Sequence, residues 1–353
     1  MPYRASDPGR PLRVVSVSTG SSRRDATVRA TLLGREVTLE RRGTDGDLRT
    51  AARLYRELEH EVDAFGMGGT DLHLYVAGRR YRFAWSARLA RHAGATPVVC
   101  GAGLKATLEP RAVAKLDAHI GWADTHALVT SAFDRWGVAT ALASRVTQLR
   151  LGDFVFLFQV PYVPTSMTTM ARWARVLAPI ATRIPLQWLY PTGAKQDAPA
   201  PSDRRTALIA EAEVVAGDFH LLNRYAPRDL SSKIVLTNTT TRENLDDLFA
   251  RGVRIVATTT PRIEGRSLPT NLLEAAFVAV AGRDRHPLAL EDLDAMVAEA
   301  GLEPDVRVAP DEVGTEGVGT EGVGTNGVGT DRVRTDRDVE DAPIPPPPRA
   351  PRS

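Results

Sequence analysis

The sequence predicts two α/β domains, the second a Rossmann-like, mostly parallel sheet, followed by a disordered C-terminal tail. Two observations support this fold class. Short apolar, β-branched segments alternate with amphipathic helical segments along most of the 353 residues. Loops rich in glycine or threonine follow the predicted strands, as is typical where a parallel strand turns into a helix.

The predicted domains follow from where this alternation starts, breaks and stops. An N-terminal α/β domain spans residues 12–120, and a Rossmann-like nucleotide-binding domain spans 121–282 with an insertion at 154–205. A terminal helix covers 283–304. Residues 305–353 are predicted to be disordered, because repeated Val-Gly-Thr-Glu-Gly segments and a proline run cannot bury enough apolar surface.

The composition narrows the class of protein. Hydrophobic content of 43% and charged content of 25% are ordinary for a globular protein. The single cysteine, Cys100, excludes an intrachain disulfide and favours a reducing cytoplasm. No segment has the pattern of a signal peptide or a membrane span, and the net charge of +2 is too small to indicate nucleic-acid binding. We therefore expect a cytoplasmic protein with no membrane or nucleic-acid partner.

The first domain begins with a predicted strand at residues 12–18. The loop that follows, residues 19–25, either holds an anion through backbone N–H groups and its two arginines or makes an exposed turn. Lys105 follows a later strand in a glycine-containing, turn-like loop. Because only four of the 45 basic residues are lysine, such a lysine indicates a need for a compact, titratable ammonium group. The other predicted elements are hairpins at 28–41 and 72–83, helices at 47–60 and 84–93, and a short strand that runs into a glycine-rich loop at 62–71. A buried strand at 96–100 ends in a second glycine loop at 101–107.

The loop after the predicted strand at 127–131 lies where a dinucleotide-binding domain carries its glycine-rich turn. Ser131, Asp134 and Gly137 replace the glycines. The helix N-terminus there can still receive a phosphate, since its free N–H groups and its dipole do not need glycine. Arg135 would offset the repulsion between Asp134 and a pyrophosphate.

The next predicted strand, residues 147–151, ends near Asp153, which either binds ribose hydroxyls or caps a helix. The insertion then breaks the pattern with prolines and aromatic residues. It contains a predicted helix at 165–181 and Lys195 in a glycine turn. It is either a lid or subunit interface, or an excursion that thickens the core, so self-association stays open.

A further strand is predicted from residue 212. If that strand continues to residue 220, it places Asp218 and His220 on the same face. An acid-oriented histidine there could transfer a proton, although a purely structural pair is the alternative. The histidines of the chain show no ligand spacing, so no metal site is predicted.

Residues 234–275 predict a β-α-β-α unit with hydroxyl side chains at the end of each strand. Because the carboxyl ends of parallel strands meet at one edge, these side chains should line one wall of a polar ligand site. The alternative is that the threonines only cap helices and satisfy loop backbone groups. The candidate ligand-binding residues there are Thr237, Asn238, Thr258, Thr259, Arg262 and Arg266.

Several segments together resemble a family of bacterial proteins described as quinate 5-dehydrogenase-like. The resemblance covers roughly residues 12–282 and implies a two-domain protein that oxidises a polyol with NAD(P). The segments are Ser-Thr-Gly-Ser-Ser-Arg-Arg-Asp (18–25), Arg-Arg-Gly-Thr-Asp-Gly-Asp (41–47), Ser-Ala-Phe-Asp-Arg-Trp-Gly (131–137), Tyr-Pro-Thr-Gly-Ala-Lys-Gln (190–196), Ala-Gly-Asp-Phe-His (216–220) and Thr-Thr-Thr-Pro-Arg-Ile-Glu-Gly-Arg-Ser (258–267).

The resulting hypothesis is an NAD(P)-dependent oxidoreductase that acts on a hydroxylated, anionic small-molecule substrate. Its catalytic candidates are Lys105, His220 and Asp218. Its candidates for binding NAD or NADP are Ser131, Asp134, Arg135, Gly137, Asp153, Thr237 and Asn238. Its candidates for binding substrate are Arg262, Arg266, Thr258, Thr259 and Lys195. The alternatives are a non-catalytic metabolite- or nucleotide-binding regulatory module and a transferase that uses a nucleotide-linked donor.

Overall fold

The structure is a computed structural model that describes residues 9–184, 203–238, 240–260, 262–263, 266–282 and 286–309. Lys195 and the predicted tail from residue 310 onward lie outside the described residues.

The strands are β1 Leu12–Ser18, β2 Ala26–Leu32, β3 Arg35–Gly43, β4 Ala64–Gly68, β5 His73–Val76, β6 Arg79–Arg82, β7 Val98–Val99, β8 His126–Val129, β9 Gln148–Leu151, β10 Val214–Ala216, β11 Ile234–Thr237, β12 Ile255–Thr258, β13 Arg262–Ile263, β14 Arg266–Ser267 and β15 Asp305–Val308. The α-helices are α1 Leu48–Leu58, α2 Ala84–Ala90, α3 Ala102–Lys115, α4 Trp136–Ala143, α5 Asp153–Phe156, α6 Met167–Ala181, α7 Arg204–Glu211, α8 Phe219–Tyr225, α9 Arg242–Ala250, α10 Thr270–Ala281 and α11 Leu290–Glu299.

The first sheet has the strand order β2-β3-β1-β4-β7. β1 lies between β3 and β4 and pairs in parallel with both, and β7 extends the parallel part beyond β4. β2 joins β3 as an antiparallel hairpin at the other edge. The carboxyl ends of β1, β4 and β7 therefore meet at one edge.

The second sheet has the order β9-β8-β10-β11-β12-β15, and its first five strands are parallel. This confirms the predicted mostly parallel second sheet. β15 pairs antiparallel with β12 at the outer edge, although residues from 305 were expected to be disordered. The apolar Val306 and Val308 of β15 pack on the core of this sheet, which explains the ordered strand. The order of the parallel strands reverses between β8 and β10.

Helix α10 packs on the first sheet, although the predicted boundary at residue 282 placed it in the second domain. Its Leu273 and Phe277 are fully buried in the core that contains Val14 and Ala64. Nine of its residues are buried, so the helix needs apolar cover on several sides. The chain therefore crosses back to the first sheet after β12.

The sequence was expected to form a glycine loop at residues 101–107, but α3 begins there. The apolar residues Leu104, Leu108, Ala112 and Leu116 recur every four positions and are fully buried. Gly101 takes a left-handed conformation (φ 86°) at the helix N-cap, and Pro110 lies inside the helix. The apolar spacing, rather than the glycines and the proline, determines the structure here.

The insertion contributes α6, which contacts both parts of the chain. Ala174 and Ala178 of α6 form a buried cluster with Val76 of the β5–β6 hairpin. Phe133, in the loop after β8, and Trp136, in α4, pack against this cluster. The inner face of this segment therefore thickens the core. Among the described residues, no helix is long and apolar enough to cross a membrane.

Candidate functional site

Four polar segments lie at the carboxyl edge of the second sheet. They follow β8, β10, β11 and β12, all of which run in parallel. The structure thus brings together the strand ends that the sequence predicted at one edge. The first two flank the point where the strand order reverses, the place where open α/β sheets most often bind ligands. The segments are Thr130-Ser131, Gly217-Asp218, Thr237-Asn238 and Thr258-Thr259-Thr260.

Lys105 joins the first sheet's edge to the second. Its Nζ atom lies 3.4 Å from Asp71 Oδ1, in the loop after β4, and 3.2 Å from Asp134 Oδ1, in the loop after β8. Burial alone would lower the pKa of Lys105, but the charges of Asp134 and Asp71 outweigh it and raise the pKa above its ordinary value. Lys105 therefore stays protonated, which suits a fixed positive charge rather than the proton transfer we expected of it.

Arg135 continues this cluster inside the second sheet's lobe. Its guanidinium is 3.3 Å from Asp134 Oδ2, 3.3 Å from Glu109 Oε1 and 3.4 Å from Asp218 Oδ2. Arg135 is only 3% exposed, so these carboxylates replace the water that a guanidinium would otherwise bind. Arg135 does offset Asp134, as expected, but its position is fixed by three internal partners.

The N-terminus of α4 already holds an internal carboxylate. Glu109 Oε2 accepts a hydrogen bond from the backbone N–H of Val138 at 3.3 Å. A Cβ atom on Gly137 would lie 2.9 Å from Glu109 Oε2 and 3.0 Å from Glu109 Cβ. Gly137 thus allows close contact between α3 and α4, instead of the approach of a pyrophosphate. Burial raises the pKa of Glu109 to about 7, although Arg135 opposes the change.

Asp153 was expected to bind ribose hydroxyls, but its carboxylate holds the loop after β8. It accepts hydrogen bonds from the backbone N–H groups of Ala132 at 2.9 Å and Phe133 at 2.8 Å. The residue is 0% exposed, and burial raises its pKa to about 7. A ligand cannot reach this side chain without opening the loop.

Asp218 and His220 do not lie on one strand, because β10 ends at Ala216 and α8 begins at Phe219. Asp218 is the N-cap of α8, and its Oδ1 accepts the backbone N–H of His220 at 3.0 Å. Its Oδ2 accepts a hydrogen bond from Asn238 Nδ2 at 3.0 Å. The expected carboxylate–imidazole pair is therefore wrong: the carboxylate binds the backbone of His220.

The hydroxyl groups of this edge fall into two sets. Thr237 Oγ1 donates to the backbone oxygen of Gly217 at 2.8 Å. Thr130, Ser131 and Thr259 are at most 2% exposed, and their hydroxyl oxygens have no hydrogen-bond partner within the described part of the chain. Buried polar groups are normally paired, so these three hydroxyls are candidates to bind an internal water. Thr258 is also buried.

For three expected site residues the structure describes no side chain. Lys195 lies outside the described residues, and of Arg262 and Arg266 only the backbone, in the short β13–β14 hairpin, is described. Asp71 and Glu109 belong to the cluster but were not singled out from the sequence. The only signal for Glu109 was the four-residue apolar spacing of α3, on which it lies.

Other parts of the described chain do not add to this site. Within the described residues no group of three His, Cys, Asp or Glu side chains could hold a metal ion. A surface cavity of about 440 Å³ lies elsewhere, lined among others by Arg150, Thr165, Arg204 and Glu211. It includes none of the charged side chains described above, so the cluster at the sheet edges remains the better candidate.

Two known protein families match parts of this chain in sequence. Residues 103–309 match the family described as Domain of unknown function (DUF8754), and residues 13–100 match Domain of unknown function (DUF8753). Because the first match covers more than half of the chain, the chain belongs to the DUF8754 family. The two matches meet at Gly101, the N-cap of α3. No curated protein matches the chain in sequence.

Similar solved structures are mainly sugar-binding proteins. A substrate-binding protein of a sugar ABC transport system from Bordetella parapertussis 12822 is 13% identical, with 81% of this chain and 85% of that chain covered and a TM-score of 0.35. The periplasmic binding protein of the arabinose ABC transporter from Shewanella sp. ANA-3 is 11% identical, with 79% and 87% covered and a TM-score of 0.34. A glutamate dehydrogenase is 12% identical, with 76% and 63% covered and a TM-score of 0.36. At these scores the likeness does not support a function for this chain.

These findings correct two predictions. The resemblance to quinate 5-dehydrogenase-like proteins is wrong, since the families that match the chain are DUF8753 and DUF8754. The prediction of an NAD(P)-dependent oxidoreductase depended on that resemblance and is wrong with it. Binding of NAD or NADP is untested, and the occupied α4 N-terminus and buried Asp153 lend it no support. Cytoplasmic localisation, self-association and the lack of a nucleic-acid partner stay predictions.

Proposed function

We propose that the protein binds a small, hydroxyl-rich molecule without net negative charge at the carboxyl edge of the second sheet. The site lies outside the ends of β8 and β10, where the loop after β4 and the start of α3 also arrive. The observation that carries the proposal is the convergence there of charged residues from both sheets. They are Asp71, Lys105, Glu109, Asp134, Arg135 and Asp218.

The partly exposed members of this cluster are suited to bind hydroxyl groups. The side chains of Asp71, Asp134 and Asp218 are 30%, 20% and 33% exposed. Ionised carboxylates only accept hydrogen bonds, and a hydroxyl donates one. Such bonds to a charged group are stronger than those between neutral groups. A ligand with several hydroxyl groups could therefore engage more than one of these carboxylates.

The balance of charge argues against an anionic ligand at this place. The two basic groups already pair with acids of the cluster, and the carboxylates of Asp134 and Asp218 remain partly exposed beside them. An added anion would face repulsion from the exposed carboxylates. The anionic small molecule that we expected from Arg262 and Arg266 is therefore not the class proposed for this crevice.

The fixed charge of Lys105 favours binding over proton transfer. With Asp71 and Asp134 in contact, its pKa is raised, so it remains a donor of hydrogen bonds near neutral pH. A general base would need a pKa close to the working pH. Lys105 would hold the two aspartates in place and orient them toward the ligand.

Calorimetric titration of the full-length protein with neutral monosaccharides and cyclic polyols tests this proposal. We expect saturable binding that weakens about ten-fold in Asp218→Asn, since asparagine keeps the helix cap but removes the charge. Asp117→Asn is the matched control, because Asp117 pairs with Arg145 on a different surface. Absence of binding by any neutral polyol, or equal losses in both variants, would contradict the proposal.

A further inference from the structure

Two guanidinium groups lie close to Gly20 in the loop after β1. One belongs to Arg24 of the same loop and the other to Arg41 of β3. A Cβ atom built on Gly20 would lie 2.8 Å from Arg24 Nη2 and 3.1 Å from Arg41 Nη2. Two like charges this close repel each other unless negative charge lies between or beside them. Within the described residues Arg41 pairs with Asp25, whereas Arg24 has no carboxylate partner.

Arg41 is held firmly in this position. Its Nη1 donates to the backbone oxygen of Ser21 at 2.9 Å and to Asp25 Oδ1 at 2.8 Å, and its Nη2 donates to Ser18 Oγ at 3.0 Å. Its side chain is 10% exposed. Burial and then the charge of Arg24 lower the pKa of Arg41 below its ordinary value, and Asp25 and Asp45 oppose the change.

The loop itself is ordered by internal hydrogen bonds. The backbone N–H of Asp45 donates to the oxygen of Gly20 at 3.1 Å, and Thr19 N–H donates to the oxygen of Gly68 at 3.0 Å. Asp45 Oδ1 accepts the backbone N–H of Ser22 at 2.9 Å. A site built on such a loop needs little ordering when a ligand binds.

The local charge is positive. Three arginines, Arg23, Arg24 and Arg41, face two carboxylates, Asp25 and Asp45, which leaves one positive charge in excess. This is the opposite of the crevice at the second sheet, where acids are in excess. The two sites lie at the carboxyl edges of different sheets.

We propose that Arg24 and Arg41, on either side of Gly20, bind a phosphate group of a small-molecule ligand. Guanidinium groups bind phosphate oxygens through directed, charge-assisted hydrogen bonds. Two of them that approach one point can each engage different oxygens of a tetrahedral dianion. Gly20 leaves the space in which those oxygens would lie, because a side chain there would fill it. This site goes beyond the hydroxyl-binding crevice and does not depend on it.

Titration of the full-length protein with inorganic phosphate at constant ionic strength tests the site, with acetate as a second probe. We expect phosphate to bind more tightly than acetate, and Arg24→Gln to weaken phosphate binding about ten-fold or more. Arg23→Gln is the matched control, since it removes the same charge from the neighbouring residue. We expect it to change the affinity less than three-fold, because it removes only a long-range attraction that salt screens.

Gly20→Ala provides a second variant that keeps every charge. Its methyl group would displace both guanidinium groups, so phosphate affinity should fall while the thermal unfolding midpoint stays close to that of the unmodified protein. Equal losses in Arg23→Gln and Arg24→Gln, or unchanged binding in Gly20→Ala, would overturn the proposal. So would no saturable binding by the unmodified protein. Asp218→Asn should leave phosphate binding unchanged, which separates a failure of this site from a failure of the polyol site.

Discussion

The carboxyl edges of the two sheets are built from different side chains. In the first sheet β3 and β4 end in glycine, and Gly101 lies two residues after the end of β7. In the second sheet β11 and β12 end in Thr237 and Thr258, and Thr130 directly follows β8. At the first edge the N-terminus of α10 lies directly on Gly68 and Gly101: a Cβ atom on Gly68 would come within 2.8 Å of Asn271 Nδ2, and one on Gly101 within 2.7 Å of the Asn271 backbone nitrogen. At the second edge polar side chains and charges lie at the strand ends.

This difference shows that glycine at a strand end need not indicate a ligand loop. In the first sheet the missing side chains make room for a helix that lies about 170 residues later in the sequence, and Glu274 of that helix accepts the backbone N–H of Leu104 at 2.9 Å. In the second sheet Gly137 makes room for Glu109 in the same way. The N-termini of α3 and α4, which could have bound phosphate, are each occupied by a glutamate of this chain.

Removal of the cation at the second edge should have the largest effect. Arg135→Met leaves the carboxylates of Glu109, Asp134 and Asp218 without their shared partner. We expect the free energy of unfolding to fall by about 3–5 kcal/mol, as for other broken buried ion pairs. Denaturant titration followed by circular dichroism measures it.

A matched variant removes an arginine from an exposed pair. Arg145 contacts Asp117 at 2.8 Å, and Arg145→Met should cost at most about 1 kcal/mol. Similar losses in the two variants would show that the buried cluster does not hold the second edge together.

The pH dependence of the unfolding free energy should report on the two buried glutamates, which lie at the N-termini of α3 and α4. Burial raises the pKa of Glu274 to about 7 from the ordinary 4.5, and that of Glu109 also to about 7. The folded protein thus binds these protons more tightly than the unfolded chain does. The associated stability is fully present below about pH 4.5 and is lost as the pH rises through about 7.

Glu274→Gln should flatten this dependence. A pKa raised from 4.5 to about 7 corresponds to at most about 3 kcal/mol, so the difference in unfolding free energy between about pH 5 and 8 should shrink by up to that amount. Denaturant titrations at several pH values measure it. Glu243→Gln, in the exposed first turn of α9, is the control and should leave the slope unchanged. An identical slope in Glu274→Gln would mean that Glu274 titrates normally.

How far the sequence predicted this molecule depends on the range of the interactions involved. The strands of the second sheet are short apolar, β-branched segments, so local pattern identifies them. Helix α3 was missed because Gly101, Gly103 and Pro110 obscured its four-residue apolar spacing. Lys105, Asp134, Arg135 and Asp218 were selected for their chemistry, and the structure does bring them together. Their partners are set by contacts between distant segments, which spacing along one chain does not reveal.

Gly101→Ala tests whether the first edge needs glycine for helix packing. Gly101 and Gly34 both have positive φ angles, of 86° and 74°, so alanine is strained at either position. A Cβ atom on Gly34 would contact nothing within 4 Å, whereas one on Gly101 would lie 2.8 Å from the Thr270 carbonyl carbon. Gly101→Ala should therefore cost about 1–3 kcal/mol more than Gly34→Ala in unfolding free energy. Equal costs would show that backbone strain alone, and not contact with α10, accounts for the need for glycine at position 101.

The smallest expected effect separates the two sets of threonine hydroxyls at the second edge. Thr237 and Thr259 are each 2% exposed and lie at or just after the ends of adjacent strands. Within the described residues only the Thr237 hydroxyl has partners, Asn238 Oδ1 and, at the shorter distance, the backbone oxygen of Gly217. Thr237→Val should lower the free energy of unfolding by about 1 kcal/mol, because it removes a hydrogen bond and leaves that oxygen with one contact fewer. Thr259→Val should cost nothing or stabilise the protein slightly, since within the described residues its hydroxyl is buried without a partner. Thermal and denaturant unfolding of both variants measure the difference. If Thr259→Val is neutral for stability and also weakens polyol binding, its hydroxyl serves the ligand; a loss of stability equal to that of Thr237→Val would show that the hydroxyl is already paired in the folded protein.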